Sequence, residues 1–88
     1  MGKVDAFSIN GWRLWFNSSD HRHPHFHVKK PGDWEIRVFI LTTQDQILDY
    51  NLKFGKKEPT SAEQRQIASL VVAHREALLE EGETKVVV

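Results

Sequence analysis

The chain predicts an α+β fold, with a three- to four-stranded antiparallel meander and one long C-terminal helix packed across it. Three observations lead there. Apolar residues alternate with a period of two through the first two-thirds of the sequence. The stretches between these runs are too short to carry a parallel crossover. After Pro59 the apolar period lengthens to that of a helix. With 88 residues there is room for one core, so a single domain spans 1–88, with strands over about 6–54, a helix over about 61–81 and a tail over 82–88.

The elements follow in order. From Gly11 to Phe16, Trp12, Leu14 and Phe16 fall on one face, Arg13 and Trp15 on the other. Asn17 to Asp20 mark a turn. His25 to Lys29 gives a second strand, with Phe26 and Val28 inward and His25 and His27 outward. Lys30-Pro31-Gly32-Asp33 is a strong turn signal, since proline presets φ and glycine tolerates positive φ. Trp34 to Leu41 then places Trp34, Ile36, Val38 and Ile40 opposite Glu35, Arg37 and Phe39. Leu48, Tyr50, Leu52 and Phe54 alternate with Asp49, Asn51 and Lys53 in a fourth strand.

Thr60 is placed to cap the helix, and Glu63 three residues on closes a capping box. Ile67, Leu70, Val71, His74 and Leu78 form the apolar stripe, flanked by Ala68, Val72 and Leu79. Gly82 is expected to stop the helix. Lys85 to Val88 is β-prone and either adds an edge strand or frays.

Composition excludes several classes. Twelve basic and twelve acidic residues cancel, which argues against coating nucleic acid by bulk electrostatics. The balance is uneven along the chain, however: residues 1–40 carry six Lys/Arg against four acids, so an anionic ligand should prefer the N-terminal half. The absence of cysteine removes disulfides, thiolate metal sites and thiol nucleophiles. The longest purely apolar run is Val38 to Leu41, far short of a membrane span. Asp5 interrupts any signal-like N-terminus, and the expected location is the cytoplasm, away from membranes.

One segment carries candidate chemistry: Asp20-His21-Arg22-His23-Pro24-His25-Phe26-His27. In an extended chain His25 and His27 project to the same side. Pro24 pushes His23 toward extended geometry, so His21 and His23 could continue the row. On a helical wheel His74 lies within the apolar arc and faces the sheet. A helix packed over the sheet end near His25 and His27 would bring three imidazoles together.

Three readings stand side by side. In the first, the imidazoles are structural, donating to loop carbonyls and stacking on Trp12, Trp15 or Trp34. In the second, His25, His27 and His74 bind Zn²⁺ or another transition metal, with Asp20 or Glu35 as a further ligand. In the third, one of these histidines is a general acid or base beside Arg22, Lys29 or Arg37, which hold a phosphate. Other signals are weaker. Arg75 and Glu76 read as a solvated helix flank, Lys56 and Lys57 as solubility. Trp15 beside Arg13 either stacks a base or packs under a loop. No phosphate-cradling glycine loop and no Ser/His/Asp set is present.

His23-Pro24-His25-Phe26-His27-Val28, followed by His74-Arg75-Glu76-Ala77-Leu78-Leu79 in the helix, resembles a family of small bacterial proteins known as a domain of unknown function, family forty-one sixty. The resemblance spans roughly residues 8 to 82. The family signature has two prolines, and His23 stands here where the first would be. The family is often encoded beside another small protein, in a setting similar to toxin–antitoxin modules. The resemblance therefore implies a module that works with a small protein partner and groups the strand histidines with His74, but it supplies no reaction.

Two functional expectations result. The first is a toxin–antitoxin-type module acting on or binding RNA or DNA through the histidine/arginine face. If catalytic, it would cleave phosphodiesters, without metal or with its help, using His25, His27 or His74 as acid or base. The second is a non-catalytic interaction module, metal-bound or not, whose helix flank docks the partner. A homo-oligomer is compatible with either.

Overall fold

A computed structural model describes residues 2–17, 23–55 and 57–85. The chain runs β1 (Gly2–Lys3), β2 (Arg13–Phe16), β3 (His25–Lys30), β4 (Trp34–Phe39), β5 (Tyr50–Gly55), α1 (Ser61–Ala73) and α2 (Arg75–Lys85). All strand pairings are antiparallel and the spatial order is β1-β2-β3-β4-β5, a simple meander. The α+β class and the meander are as expected. Among the described residues the strands number five, not three to four, because Gly2–Lys3 pairs with Trp15 and Phe16. Two residues are too few to show a period, so this strand leaves no pattern in the sequence.

Alternation explains the sheet. In β4, Trp34, Ile36 and Val38 are buried while Glu35, Arg37 and Phe39 are half-buried on the other side. Phe26 and Val28 sit directly opposite Val38 and Ile36, and Leu14 opposite Val28, so all share one face. That face joins Phe16, Ile67, Ala68, Val71 and Leu78 in a single core. Both helices therefore lie on one side of the sheet. The β3–β4 hairpin closes with Asp33 N–H donating to the Lys30 carbonyl at 3.0 Å, and Gly32 takes φ +87°. That is the conformation demanded at the third position of a type II turn.

The period of two fails in β5. A bulge between Glu35 and Ile36 pairs Phe54 with Glu35 but Leu52 with Ile36, so Lys53 is the extra residue and Phe54 changes face. Phe54 is left 64% exposed as a result.

The helix starts as its sequence dictates. Glu63 N–H donates to Thr60 Oγ1 at 3.1 Å, and Thr60 N–H to Glu63 Oε1 at 2.8 Å. It does not continue as one rod over 61–81. His74 leaves helical geometry (φ −116°, ψ 21°) and separates α1 from α2. The cause is tertiary. Arg75 Nε donates to the Ile40 carbonyl at 3.2 Å and its guanidinium also reaches the Thr43 carbonyl, while the His74 ring stacks on Phe7 at 5.5 Å. Gly82 does not end the helix either. It lies inside α2, where a Cβ would sit at ordinary van der Waals distance, 3.6 Å, from Phe16. Val86 to Val88 lie outside the described residues, and Lys85 is helical. Among the described residues no helix is long and apolar enough to cross a membrane.

Ion pairs tie both helices to the sheet side of the fold. Lys30 Nζ lies 2.7 Å from Glu63 and 3.2 Å from Asp33, and Lys85 Nζ lies 2.6 Å from Asp5 and 2.9 Å from Glu81.

Candidate functional site on the far face of the sheet

The face away from the helices is built by register. One row crosses all five strands as Lys3, Trp15, His27, Arg37 and Asn51. The next holds Arg13, Lys29, Glu35 and Phe54. His25 and Phe39 sit opposite each other in a third. Because cross-strand partners share a face, these side chains form one surface. The sequence places His25 and His27 on it through the inward Phe26 and Val28, as expected.

Both histidines are nevertheless buried, His25 7% and His27 2% exposed. Among the described residues, aromatic rings pack on them. Trp15 stacks on His27 at 5.2 Å with 16° between planes, His25 meets His27 edge-on at 5.5 Å, and Phe39 leans on His25 at 5.9 Å. His25 Nδ1 lies 2.6 Å from the His23 carbonyl oxygen. A carbonyl only accepts, so Nδ1 carries the proton in this contact. Loop carbonyl and tryptophan are the contacts of the structural reading.

His74 is elsewhere. Its ring stacks on Phe7, which meets Phe26 edge-on at 6.0 Å, and Phe26 points toward the helices. The sheet therefore separates His74 from His25 and His27, and the three imidazoles do not converge. Among the described residues no group of three His, Cys, Asp or Glu could hold a metal ion. Asp20, His21, Arg22 and Lys56 lie outside the described residues, and so does the turn at Ser18 and Ser19. Glu35 lies beside Lys29 and Arg13, a row away from the histidine pair.

The phosphate-binding candidates Lys29 and Arg37 both lie on this face. Arg37 Nε is buried with no hydrogen-bond partner among the described residues. Sequence reasoning passed over Lys3 as a member of the same surface, and named Arg13 only beside Trp15 and Glu35 only as a metal ligand. The partnering of β1 was the missing signal for Lys3; strand alternation already held the other two. Arg75, expected on a solvated flank, instead anchors the helix break. Ala68 is fully buried, and Val72 and Leu79 half-buried, so the helix flank serves a wide core contact.

A cleft of about 550 Å³ opens beside Trp15, between β2 and the segment 4–12. Phe7, Trp12 and Trp15 line it together with Arg13, Lys29 and Glu35. Trp12 is held edge-on against Trp34 at 5.1 Å.

Cations on the two sides of the sheet fare differently. Lys30 and Lys85, on the helix side, are neutralised by carboxylates. Among the described residues Lys3, Arg13, Lys29 and Arg37 on the far face have no carboxylate partner. The surface can hold an anion by charge and a planar ring by stacking.

No curated protein and no solved structure matches the chain. A family model described as a domain of unknown function, DUF4160, matches residues 11–81, which takes in β2 through most of α2 with the histidine strand and the His74-Arg75 element, and the chain belongs to that family.

Proposed function

We propose that the far face of the sheet binds single-stranded nucleic acid, as the working surface of a toxin–antitoxin-type module. The observation that supports this is the distribution of unneutralised charge: among the described residues, two adjacent rows of this face hold Lys3, Arg13, Lys29 and Arg37 with one acid, Glu35. A net charge of zero hides this, since α2 alone carries Glu76, Glu80, Glu81 and Glu83 on the other side of the molecule. Cations at this spacing track a phosphate backbone, and Trp15 adds a stacking surface that any base can use. If the module cleaves its ligand, His25 is the better placed acid or base, because the contact of its Nδ1 with the His23 carbonyl orients the ring. His27 is the more deeply buried of the pair and positions Trp15.

The test is fluorescence anisotropy with labelled single-stranded RNA and DNA over a range of salt. Binding should weaken with salt, and Arg13→Ala and Lys29→Ala should each lower the slope of log K against log salt by about 0.7. Absence of binding at low salt overturns the reading. Denaturing gels of the same mixtures separate a nuclease from a binding module: fragments that vanish with His25→Ala mark the former.

A second reading has its own observation. Edge strand β5 exposes Leu52 and Phe54, 41% and 64%, and no acid occurs between Tyr50 and Lys57. An extended acidic segment of a small partner protein could add there as a sixth strand. Co-purification with the small protein encoded beside such modules, lost in Phe54→Asp, would support it.

A further inference from the structure

We infer that the cleft beside Trp15 is a pocket for one unpaired guanine base, which deepens the nucleic-acid reading of this face and rests on it. Three features of the cleft converge. Its walls hold Trp15 from the far face together with Phe7 and Trp12, whose rings pack toward the helix side on His74 and Trp34, so the stacking surface for a planar heterocycle is that of Trp15. Arg13 and Lys29 stand beside those walls as neighbours across the β2–β3 ladder, where the phosphates flanking an inserted base would pass. Glu35 lines the same cleft and is the one acid among its described lining residues, which include Lys3, Arg13 and Lys29. Its carboxylate has no ion-pair partner among the described residues, although Lys29 lies directly across the ladder.

A carboxylate is a poor choice for holding phosphate but a good one for reading a base edge. An ionised carboxylate only accepts hydrogen bonds, and its two oxygens suit two parallel donors. Guanine presents such a pair on its Watson–Crick edge, the N1–H and the exocyclic amine. Adenine and cytosine offer only the exocyclic amine there, and uracil a single ring N–H. The edge must be free of its pairing partner, so the pocket takes a base from a single strand or loop and rejects a duplex. The cations attract any strand; Glu35 selects.

The experiment is a tryptophan-fluorescence titration of the full chain with short oligonucleotides that are uniform except for one central G, A, C or U. The G-containing strand should bind about tenfold tighter than the U-containing one, the discrimination expected of one good bidentate contact. Glu35→Gln should remove that preference while leaving affinity for the U-containing strand equal or higher, since it removes a negative charge from the path of the phosphates. Equal affinity for all four strands in the parent chain overturns the guanine pocket and leaves the nucleic-acid reading standing. A G preference that survives both Glu35→Gln and Glu35→Ala overturns the role of Glu35. Absence of binding to every strand overturns the reading on which the inference rests.

Discussion

At the scale of single residues, two glycines show how different costs arise from similar backbone. Gly32 and Gly55 both have positive φ, +87° and +131°. At Gly32 a Cβ would meet nothing within 4 Å, so the penalty for a side chain there is conformational. At Gly55 a Cβ would stand 2.5 Å from the Asp33 carbonyl oxygen and 2.8 Å from Trp34 Cα. Both obstacles are backbone and cannot swing aside. Gly32→Ala should therefore cost about 1–2 kcal/mol from the unfavourable φ alone, while Gly55→Ala adds a steric clash and should cost roughly 3 kcal/mol or more. Urea unfolding midpoints of the two variants check the order, and equal midpoints would contradict it. Thr60 offers a milder case. Thr60→Ala removes the acceptor of the Glu63 N–H and the start of the capping box, for a loss of about 1 kcal/mol.

At the scale of elements, the break at His74 is held from outside the helix. Arg75 reaches across to the carbonyls of Ile40 and Thr43, in the segment between β4 and β5. Those carbonyls belong to buried residues and have few alternatives, so Arg75→Ala should cost about 1.5–3 kcal/mol. Hydrogen exchange should rise at both ends of the contact, around 40–49 and around 74–78. Exchange confined to the helix would show that the bend is intrinsic to it. This dependence explains why the break was not legible: Leu70 to Leu78 contains no proline or glycine, and the stripe Ile67, Val71 and Leu78 continues through it. The capping box and the alternation of β4 were legible, because each is a local rule with a local cause. The bulge was not, since it is a property of the β4–β5 pairing and not of either strand alone. The site follows the same division. Alternation placed His25 and His27 opposite Phe26, and the helix stripe placed His74 on the Phe26 side. Those two local facts already separate the imidazoles by the thickness of the sheet. The cleft beside Trp15 was invisible because segment 4–12, which has no strand or helix period, forms one of its walls.

At the scale of the whole molecule, the helical layer is fastened at two points by charge, and this sets how the fold responds to pH. At one end Glu63 meets Lys30; at the other Asp5 and Glu81 meet Lys85. Burial pushes the Glu63 carboxyl upward, but the hydrogen bond from Lys30, the Thr60 N–H and the Lys30 charge outweigh it and hold the group below its ordinary value. The hydrogen bond from Lys85 and then its charge lower Asp5 in the same way. A carboxyl depressed in the folded state contributes stability that is complete above its unfolded pKa and disappears as pH falls through the folded one. The lysines work in the opposite sense. Hydrogen bonds to Glu63 and Asp33 raise Lys30, and that to Asp5 leads the rise of Lys85, so their contribution is complete below the ordinary lysine value and disappears at higher, strongly alkaline pH. The stability these ion pairs supply should accordingly be flat through neutrality and decline on acidification below the ordinary carboxylate range. Urea midpoints taken from about pH 7 down to about pH 3 measure that decline. Glu63→Gln should flatten it more than Asp5→Asn, because the Glu63 side chain is 15% exposed and that of Asp5 71%, and an exposed pair is screened by solvent. An acid decline unchanged in Glu63→Gln would mean that α1 is held to the sheet by its apolar stripe alone, with the Lys30 contact an ornament of the surface.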